Sequence, residues 1–171
     1  TFFEASKDED WFNNTIFIIT ADHGSQPGFA EYRKTVNRTA TPILIYKPDN
    51  SLTEVKKELA QQIDIYPTII DLIGYDQPFR SWGRSLINDS LINPFTINYC
   101  GSGYVLQRDN YICFFDGEKT TGFYDINDKD LKINLIEQSN SQMDTLEIVI
   151  KAFVKDFYDR IVDKNLGKPK K

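Results

Sequence analysis

The stretch Asn14-Thr-Ile-Phe-Ile-Ile-Thr-Ala-Asp-His-Gly24 is a β-rich apolar run that ends in a carboxylate, the only imidazole of the chain and a glycine. Residues 16–19 are apolar without alternation, and this pattern predicts a strand buried on both faces, as in a parallel sheet covered by helices. Open α/β sheets bind ligands outside the carboxyl ends of their strands. The sequence therefore predicts a functional site at Asp22 and His23, with Gly24 allowing a sharp turn.

Asp22 and His23 are candidate ligands of one divalent metal ion, such as Mn²⁺, Zn²⁺, Mg²⁺ or Ca²⁺, because a carboxylate and a neutral imidazole both bind such ions. Successive strand residues point to opposite faces, so the two side chains share an ion only where the strand breaks. Gly24 makes such a break plausible. The alternative is a capping Asp followed by a hydrogen-bonded surface His, and the pair taken alone favours that alternative.

Further segments carry a family resemblance in a fixed order. They are the Asp22-His23-Gly24 tip, the strand Thr41-Pro-Ile-Leu-Ile-Tyr-Lys-Pro48, the DxxPT helix within Gln62–Gly74, the GxSL turn Gly83-Arg-Ser-Leu86, and the segment Tyr124–Leu135. Together they resemble the carboxyl-terminal part of the catalytic domain in the alkaline phosphatase superfamily, in the branch of sulfatases and lipoteichoic acid synthases, the phosphoglycerol transferases.

The resemblance implies that Asp22 and His23 bind the catalytic metal and that the nucleophile lies upstream, so no catalytic nucleophile is expected in this chain. It implies phosphoglycerol transfer on phosphate esters of lipid or glycan substrates. The alternatives are sulfuric ester hydrolysis, as in arylsulfatases, and a noncatalytic binding or structural module on the same scaffold. Arg33 and Arg38 follow the strand tip and are candidate substrate-binding cations, with a solvated loop as the alternative.

The chain starts at Thr1 without a methionine, which favours a fragment whose partner is an amino-terminal half of the same protein. Two ligands do not complete a metal site, so we expect the fragment alone to be inactive. The resemblance implies a bacterial, extracytoplasmic protein of the cell envelope, anchored through membrane segments outside this chain. No signal peptide and no apolar run of the roughly 20 residues that span a bilayer is present in the sequence.

Composition excludes several classes of protein. A hydrophobic content of 40%, with 12 Phe and 9 Tyr, excludes a disordered chain. The net charge of -5 gives no electrostatic attraction to nucleic acid, so no nucleic-acid partner is expected. Cys100 and Cys113 are compatible with a disulfide between neighbouring strands and equally with two buried thiols.

The predicted fold class is α/β, with two domains. Residues 1–94 are expected to form the carboxyl-terminal part of a sulfatase-like core, a partial parallel-type sheet with flanking helices. Within it, Thr1–Phe12 predicts the end of a helix packed on the sheet, and the capping-box spacing of Ser51 and Glu54 predicts a helix to about Gln61. Asp64 is interpreted as the cap of the next helix, Gly74 as its end, and Asp71 as a surface charge. In the loop that follows, Arg80, Trp82 and Arg84 are possible substrate contacts, with packing favoured for Trp82.

Residues 95–171 are expected to form a carboxyl-terminal subdomain of an antiparallel four-stranded sheet and a long helix. Tight-turn sequences separate four short β segments, which are Phe95–Cys100, Tyr104–Gln107, Tyr111–Phe115 and Thr120–Tyr124. Ser141 caps the predicted helix, which Gly167 and Pro169 end before a basic tail. Its apolar stripe is predicted to pack on the sheet and consists of Leu146, Val149, Ile150, Phe153, Phe157 and Ile161.

Overall fold

The computed structural model describes residues 1–24, 28–88, 94–138 and 140–162. They belong to two compact units, Thr1–Lys57 and Glu58–Lys171. The proposed division into domains 1–94 and 95–171 stays a prediction. In the described ranges, no helix has the length and apolar character needed to cross a membrane.

The first unit is a short helix packed on a two-stranded sheet. Helix α1, Phe2–Ser6, begins with a capping box in which the Thr1 hydroxyl accepts a hydrogen bond from the Glu4 N–H. Strand β1, Phe17–Thr20, pairs with strand β2, Ile43–Tyr46. The Phe3 ring lies 5.0 Å from that of Phe17 and 5.4 Å from that of Tyr46. These edge-to-face contacts confirm that the first residues form a helix packed on the strands.

The direction of this strand pair corrects the expectation of a parallel-type sheet. Strands β1 and β2 are antiparallel, with Phe17 opposite Tyr46 and Thr20 opposite Ile43. Parallel neighbours need a crossover of a dozen or more residues, usually a helix. In the described part of the connection the helical segment is a single 3₁₀ turn, Ala30–Arg33, so the chain returns antiparallel. Ile19 and Leu44, opposite each other on one face, are exposed, so the burial on both faces that was predicted for residues 16–19 is wrong for Ile19.

The predicted helix from Ser51 to Gln61 is absent, and residues 51–60 are irregular. The Asp49 carboxylate accepts hydrogen bonds from both the N–H and the hydroxyl of Ser51, at 2.9 and 2.6 Å. A local turn of this kind therefore stands where the helix start was predicted. The next helix, α2, is Ile65–Leu72, and Gly74 ends it with a φ of +67°, as predicted.

The second unit contains the predicted four-stranded meander. Its strands are β3, Phe95–Tyr99; β4, Tyr104–Arg108; β5, Tyr111–Phe115; and β6, Thr120–Asp125, paired antiparallel in that order. Each bound lies within one residue of the prediction. With the long helix that follows, the meander confirms a mixed α/β fold with a small antiparallel sheet and a C-terminal helix.

Helix α3, Ser141–Val162, supplies half of the hydrophobic core. The residues that form this core come from three strands and from α3: Leu106, Cys113, Phe115, Phe123, Met143, Leu146, Ile150 and Val154. The cap is Asn140 rather than Ser141, since the Asn140 side chain accepts hydrogen bonds from the N–H groups of Gln142 and Met143. Ile161, predicted to be on the packed stripe, is exposed. The predicted helix end at Gly167 and Pro169 lies outside the described residues.

Two side-chain amides cover the edges of the meander. On β3, Gln61 Nε2 donates to the Phe95 carbonyl and Gln61 Oε1 accepts from the Ile97 N–H, both at 3.0 Å. On β6, Asn134 Nδ2 donates to the Thr121 carbonyl and Asn134 Oδ1 accepts from the Phe123 N–H, both at 3.2 Å. Each amide thus pairs with alternate backbone groups as a neighbouring strand would, and so satisfies groups that an open edge exposes.

Candidate metal centre

The tip of β1 places Asp22 and His23 beyond the end of the strand. Strand β1 ends at Thr20, so the two residues are not held on opposite faces of a sheet. Gly24 is required by a close backbone approach, because a Cβ at this position would lie 2.7 Å from the Arg38 carbonyl oxygen. The loop after the strand therefore folds back on the tip at Gly24.

One oxygen of Asp22 and one nitrogen of His23 face each other. The Asp22 Oδ1 atom accepts a hydrogen bond from the His23 backbone N–H at 2.9 Å, and Asp22 Oδ2 lies 3.5 Å from His23 Nε2. His23 Nδ1 lies 3.0 Å from the Gly24 carbonyl oxygen. A carbonyl can only accept, so Nδ1 carries a proton and the lone pair of the neutral ring is on Nε2.

This arrangement fits a divalent ion. Two ligand atoms at about 2.1 Å from one ion, at a tetrahedral angle, are about 3.4 Å apart, which compares with the observed 3.5 Å between Oδ2 and Nε2. The side chains of His23 and Asp22 are 77% and 87% exposed. The bond from Nδ1 to a carbonyl is also the usual outer-shell contact that orients a metal-binding imidazole.

The pair supplies only part of a coordination shell. In the ranges that the structure describes, no group of three or more His, Cys, Asp or Glu side chains is positioned to hold a metal. The hydrogen bond to Gly24, and secondly the charge of Asp22, raise the pKa of His23. Because a metal binds the neutral imidazole, protons compete with it at this ring.

The candidate substrate-binding arginines lie in the loop after the tip. Arg33 ends the 3₁₀ turn Ala30–Arg33, and the side chains of Arg33 and Arg38 are exposed. The carbonyl of Arg38 is the group that approaches Gly24, so the backbone of Arg38 lies beside the tip. Glu31 holds this loop through an ion pair with Lys34 at 3.0 Å and a hydrogen bond from Asn37 at 2.8 Å. A substrate contact for Arg33 or Arg38 stays a prediction.

In the second unit, hydrogen bonds join the DxxPT helix to the GxSL turn, and we call this set of contacts the interlock. Asp64 is fully buried, and its two oxygens accept the N–H groups of Gln61 and Arg84, both at 2.9 Å. The Thr68 hydroxyl accepts the Leu86 N–H at 2.9 Å. Burial raises the pKa of the Asp64 carboxyl, and the two N–H donors oppose that rise. Asp64 thus joins the turn to the helix. It occupies the N-cap position of α2, as predicted, but its side chain makes no capping bond to α2.

Two further residues complete this interlock. A Cβ at Gly83 would lie 2.1 Å from the Ile63 carbonyl oxygen, so only glycine allows this approach. Asp71 is exposed, as predicted, but its Oδ2 also accepts the Ser85 hydroxyl at 2.6 Å. The motifs are recognisable in the sequence. Their hydrogen-bond partners across the two motifs are not, because these lie 14 to 20 residues away.

The loop after α2 is anchored on α3 by Asp156. Asp156 accepts hydrogen bonds from Arg80 Nη2 at 2.8 Å and from Trp82 Nε1 at 2.7 Å, and it forms an ion pair with Arg160 at 2.6 Å. The Arg160 guanidinium also lies 4.1 Å from the centre of the Trp82 ring. The packing role predicted for Trp82 is confirmed, and Arg84 bonds to the Leu59 carbonyl at 2.7 Å. No pattern in the sequence marks Asp156 for this role, because the role depends on its place on α3 opposite the loop.

Comparison with known proteins finds a family match over the part of the chain that contains the candidate ligands. Residues 1–75 match the family model Sulfatase. These residues include Asp22, His23 and the DxxPT helix, so the resemblance to sulfatases is confirmed for this part of the chain. The match does not specify the lipoteichoic acid synthase branch.

Curated relatives extend the similarity. A sulfatase from Formosa agariphila is 27% identical over 134 residues, 71% of this chain and 26% of its own length. An arylsulfatase from Clostridium perfringens is 21% identical over 166 residues, 86% of this chain and 34% of its own length. A 2,3-bisphosphoglycerate-independent phosphoglycerate mutase from Clostridium kluyveri is 37% identical over 79 residues, 44% of this chain and 15% of its own length. The chain thus spans about a third or less of the curated relatives that it matches.

Proposed function

We propose that this chain is the carboxyl-terminal part of a metal-dependent enzyme that acts on sulfate or phosphate esters, with sulfuric ester hydrolysis as its reaction. The observation that carries the proposal is the facing of Asp22 Oδ2 and His23 Nε2 at the end of β1, at a separation suited to one ion. The relatives with the two most extensive alignments described above are named sulfatase and arylsulfatase, which supports sulfate esters as the substrate class.

The chain's own residues would orient the reacting groups. Asp22 supplies a negative oxygen and His23 a neutral nitrogen, while the Gly24 carbonyl keeps the imidazole in the tautomer that leaves Nε2 as the ligand. Asp22 and His23 would hold a divalent Ca²⁺, Mg²⁺, Mn²⁺ or Zn²⁺ ion, whose chemistry there would be to polarise the ester and to lower the pKa of the nucleophile. The nucleophile and the remaining ligands come from residues outside this chain, so the chain alone is expected to show no turnover.

Phosphoglycerol transfer on phosphate esters of lipid or glycan substrates is the second candidate. The matches to phosphoglycerate mutases favour it, because those relatives are named for a phosphate-bearing substrate and are 33% and 37% identical over 75 and 79 residues. Arg33 and Arg38 would meet the phosphate in this case. The proposal extends to an extracytoplasmic location in a bacterial envelope, with anchoring through segments outside this chain and no nucleic-acid partner.

The test uses a protein that contains this chain together with the upstream portion found in the longer relatives. It is assayed with 4-nitrophenyl sulfate and, separately, with phosphatidylglycerol as phosphoglycerol donor. We expect Asp22→Ala and His23→Ala each to lower metal-dependent turnover at least about 100-fold, because each removes an inner ligand. Turnover of the sulfate ester alone supports the first candidate, and transfer of phosphoglycerol alone supports the second.

The matched control is Asp49→Ala, which removes a carboxylate that, among the described residues, bonds to Ser51 in its own turn and to Lys47. It should leave turnover within about twofold, since surface changes of this kind rarely alter stability by more than about 0.5 kcal/mol. Metal-dependent turnover that survives in both Asp22→Ala and His23→Ala contradicts the proposal. So does metal-dependent ester hydrolysis by the 171-residue chain alone.

A further inference from the structure

A groove lies in the second unit between one end of the meander and α3. Its volume is about 420 Å³, within the range of sites that hold small ligands. We call it the tyrosine groove, and the residues that decide its chemistry are Tyr99, Tyr104, Phe115, Asp116, Lys151 and Tyr158. It is distinct in sequence from the Asp22 and His23 tip, and the inference drawn from it does not rest on the proposed function.

The aromatic wall of the tyrosine groove is a row of residues directly opposite one another across three strands. Tyr99 is paired with Tyr104 in the β3–β4 register, and Tyr104 with Phe115 in the β4–β5 register. Opposite residues lie on the same face of a sheet, so the three rings are neighbours on one face. Phe115 is buried and forms the base of the groove, whereas Tyr99 is 65% exposed and Tyr158 51% exposed. Large rings thus remain open to solvent above a fixed base.

Hydrogen bonds hold these tyrosines in place before any ligand arrives. The Tyr99 hydroxyl donates to the Gly101 carbonyl at 3.1 Å, and its ring meets that of Tyr104 edge to face at 5.3 Å. The hydroxyls of Tyr104 and Tyr158 lie 2.8 Å apart. This bond raises the pKa of Tyr104 to about 12, so the Tyr104 phenol is neutral at physiological pH. A pre-ordered aromatic surface loses little conformational entropy on binding.

The polar rim carries both donors and acceptors and no excess of positive charge. Lys151 pairs with Glu147, and Lys155, which also lines the groove, pairs with Asp159, each one helical turn away. Asp116 accepts the N–H groups of Glu118 and Lys119, which lower the pKa of its carboxyl and keep it ionised. The charged lining residues are Lys151, Lys155 and Asp116, and the carboxylates of Glu147 and Asp159 offset the two ammonium groups, so the rim has no large excess of either sign.

These features together favour an uncharged ring with polar edges and an apolar face. The weakly positive C–H groups of a pyranose are attracted to the negative face of an aromatic ring. Its hydroxyls match a rim of phenols, ammonium groups and a carboxylate, all of which exchange hydrogen bonds readily. We propose that the tyrosine groove binds one or two pyranose rings of a neutral glycan.

The test is isothermal titration of the whole chain with four hexasaccharide probes: cellohexaose, maltohexaose, chitohexaose and a chondroitin sulfate hexasaccharide. We expect at least one neutral probe to bind with a dissociation constant of about 1 mM or lower. Tyr99→Ala should weaken that binding at least about tenfold, because it removes the most exposed ring of the surface. Tyr158→Phe keeps the ring and removes one hydroxyl, so it should weaken binding about threefold.

The control is Tyr75→Ala, an exposed tyrosine of the same unit outside the groove, which should bind as the unchanged chain does. Circular dichroism checks that each variant is folded. If Tyr99→Ala does not fold, the binding of Tyr158→Phe decides the outcome. Absence of binding for all three neutral probes overturns the proposal. Binding of the chondroitin sulfate probe alone, or binding equal in Tyr99→Ala and the unchanged chain, overturns it as well.

Discussion

The amide pairs at the two edges of the meander permit a quantitative prediction about its stability. In Gln61→Glu and in Asn134→Asp an N–H donor becomes a carboxylate oxygen, which then faces the carbonyl of Phe95 or of Thr121. Each change removes one hydrogen bond and leaves a carbonyl oxygen beside a negative charge. We therefore expect each variant to lose about 2 kcal/mol in the free energy of unfolding.

The geometry of the sheet also predicts the double variant. Gln61 bonds to β3 and Asn134 to β6, which are separated by two strands. At about 4.8 Å per strand, the two edges are about 14 Å apart. Changes at this separation with no shared partner add within about 0.5 kcal/mol. The double variant should therefore lose about 4 kcal/mol.

Urea unfolding followed by tryptophan fluorescence measures these losses at pH 7, and Gln138→Glu, an exposed amide, is the charge-matched control. The loss should shrink at acidic pH, because protonation of the introduced carboxylate restores a donor for the strand carbonyl. The reasoning is refuted if either single variant is as stable as the control. A loss in the double variant that differs from the sum by more than about 1 kcal/mol refutes the independence of the two edges.

Three further predictions concern a glycine, a thiol and a buried ion pair. Gly24→Ala should lose about 1–3 kcal/mol of stability on thermal unfolding, because the new Cβ meets the Arg38 carbonyl, whereas Gly28→Ala, in open space, should be neutral. Burial raises the pKa of Cys113 from 9.0 to about 12. The Cys113 thiol alone should therefore lower stability by about 4 kcal/mol as the pH rises from 9.0 to 12, and the loss measured in urea for Cys113→Ala should be smaller by that amount. Asp156→Asn should lose about 3–5 kcal/mol in the free energy of unfolding in urea, because Arg160 is only 7% exposed and keeps its charge without the carboxylate. An unchanged unfolding midpoint would show that the ion pair does not stabilise the fold.

Local patterns in the sequence were sufficient for the second half of the fold. Turn sequences such as Asp116-Gly117 divide the meander, and Gly117 has the positive φ that such turns need. Periodic apolar residues marked α3. The bounds of the four strands and the start of α3 depend on neighbours in the sequence, and so they could be predicted closely.

Features that depend on distant partners were not predictable. Nothing near Ile18 specifies that β2 returns antiparallel, and Ser51 has the spacing of a helix cap although it bonds to Asp49 in a local turn. Gln61 bonds to residues 34 and 36 positions away. At the candidate site, the residue types of Asp22 and His23 were readable, whereas the hydrogen bond that fixes the imidazole tautomer is a product of the turn at Gly24.

The central claim is that Asp22 and His23 bind one divalent ion, and the chain offers a direct measurement of it. His23 is the only histidine, so its two ring nitrogens give unambiguous ¹⁵N resonances. On titration with Zn²⁺ near pH 7.5, the Nε2 resonance should move while Nδ1 stays protonated, and Asp22→Ala should weaken the response about tenfold. An Nε2 resonance that does not move, or that responds equally in Asp22→Ala, would contradict the account.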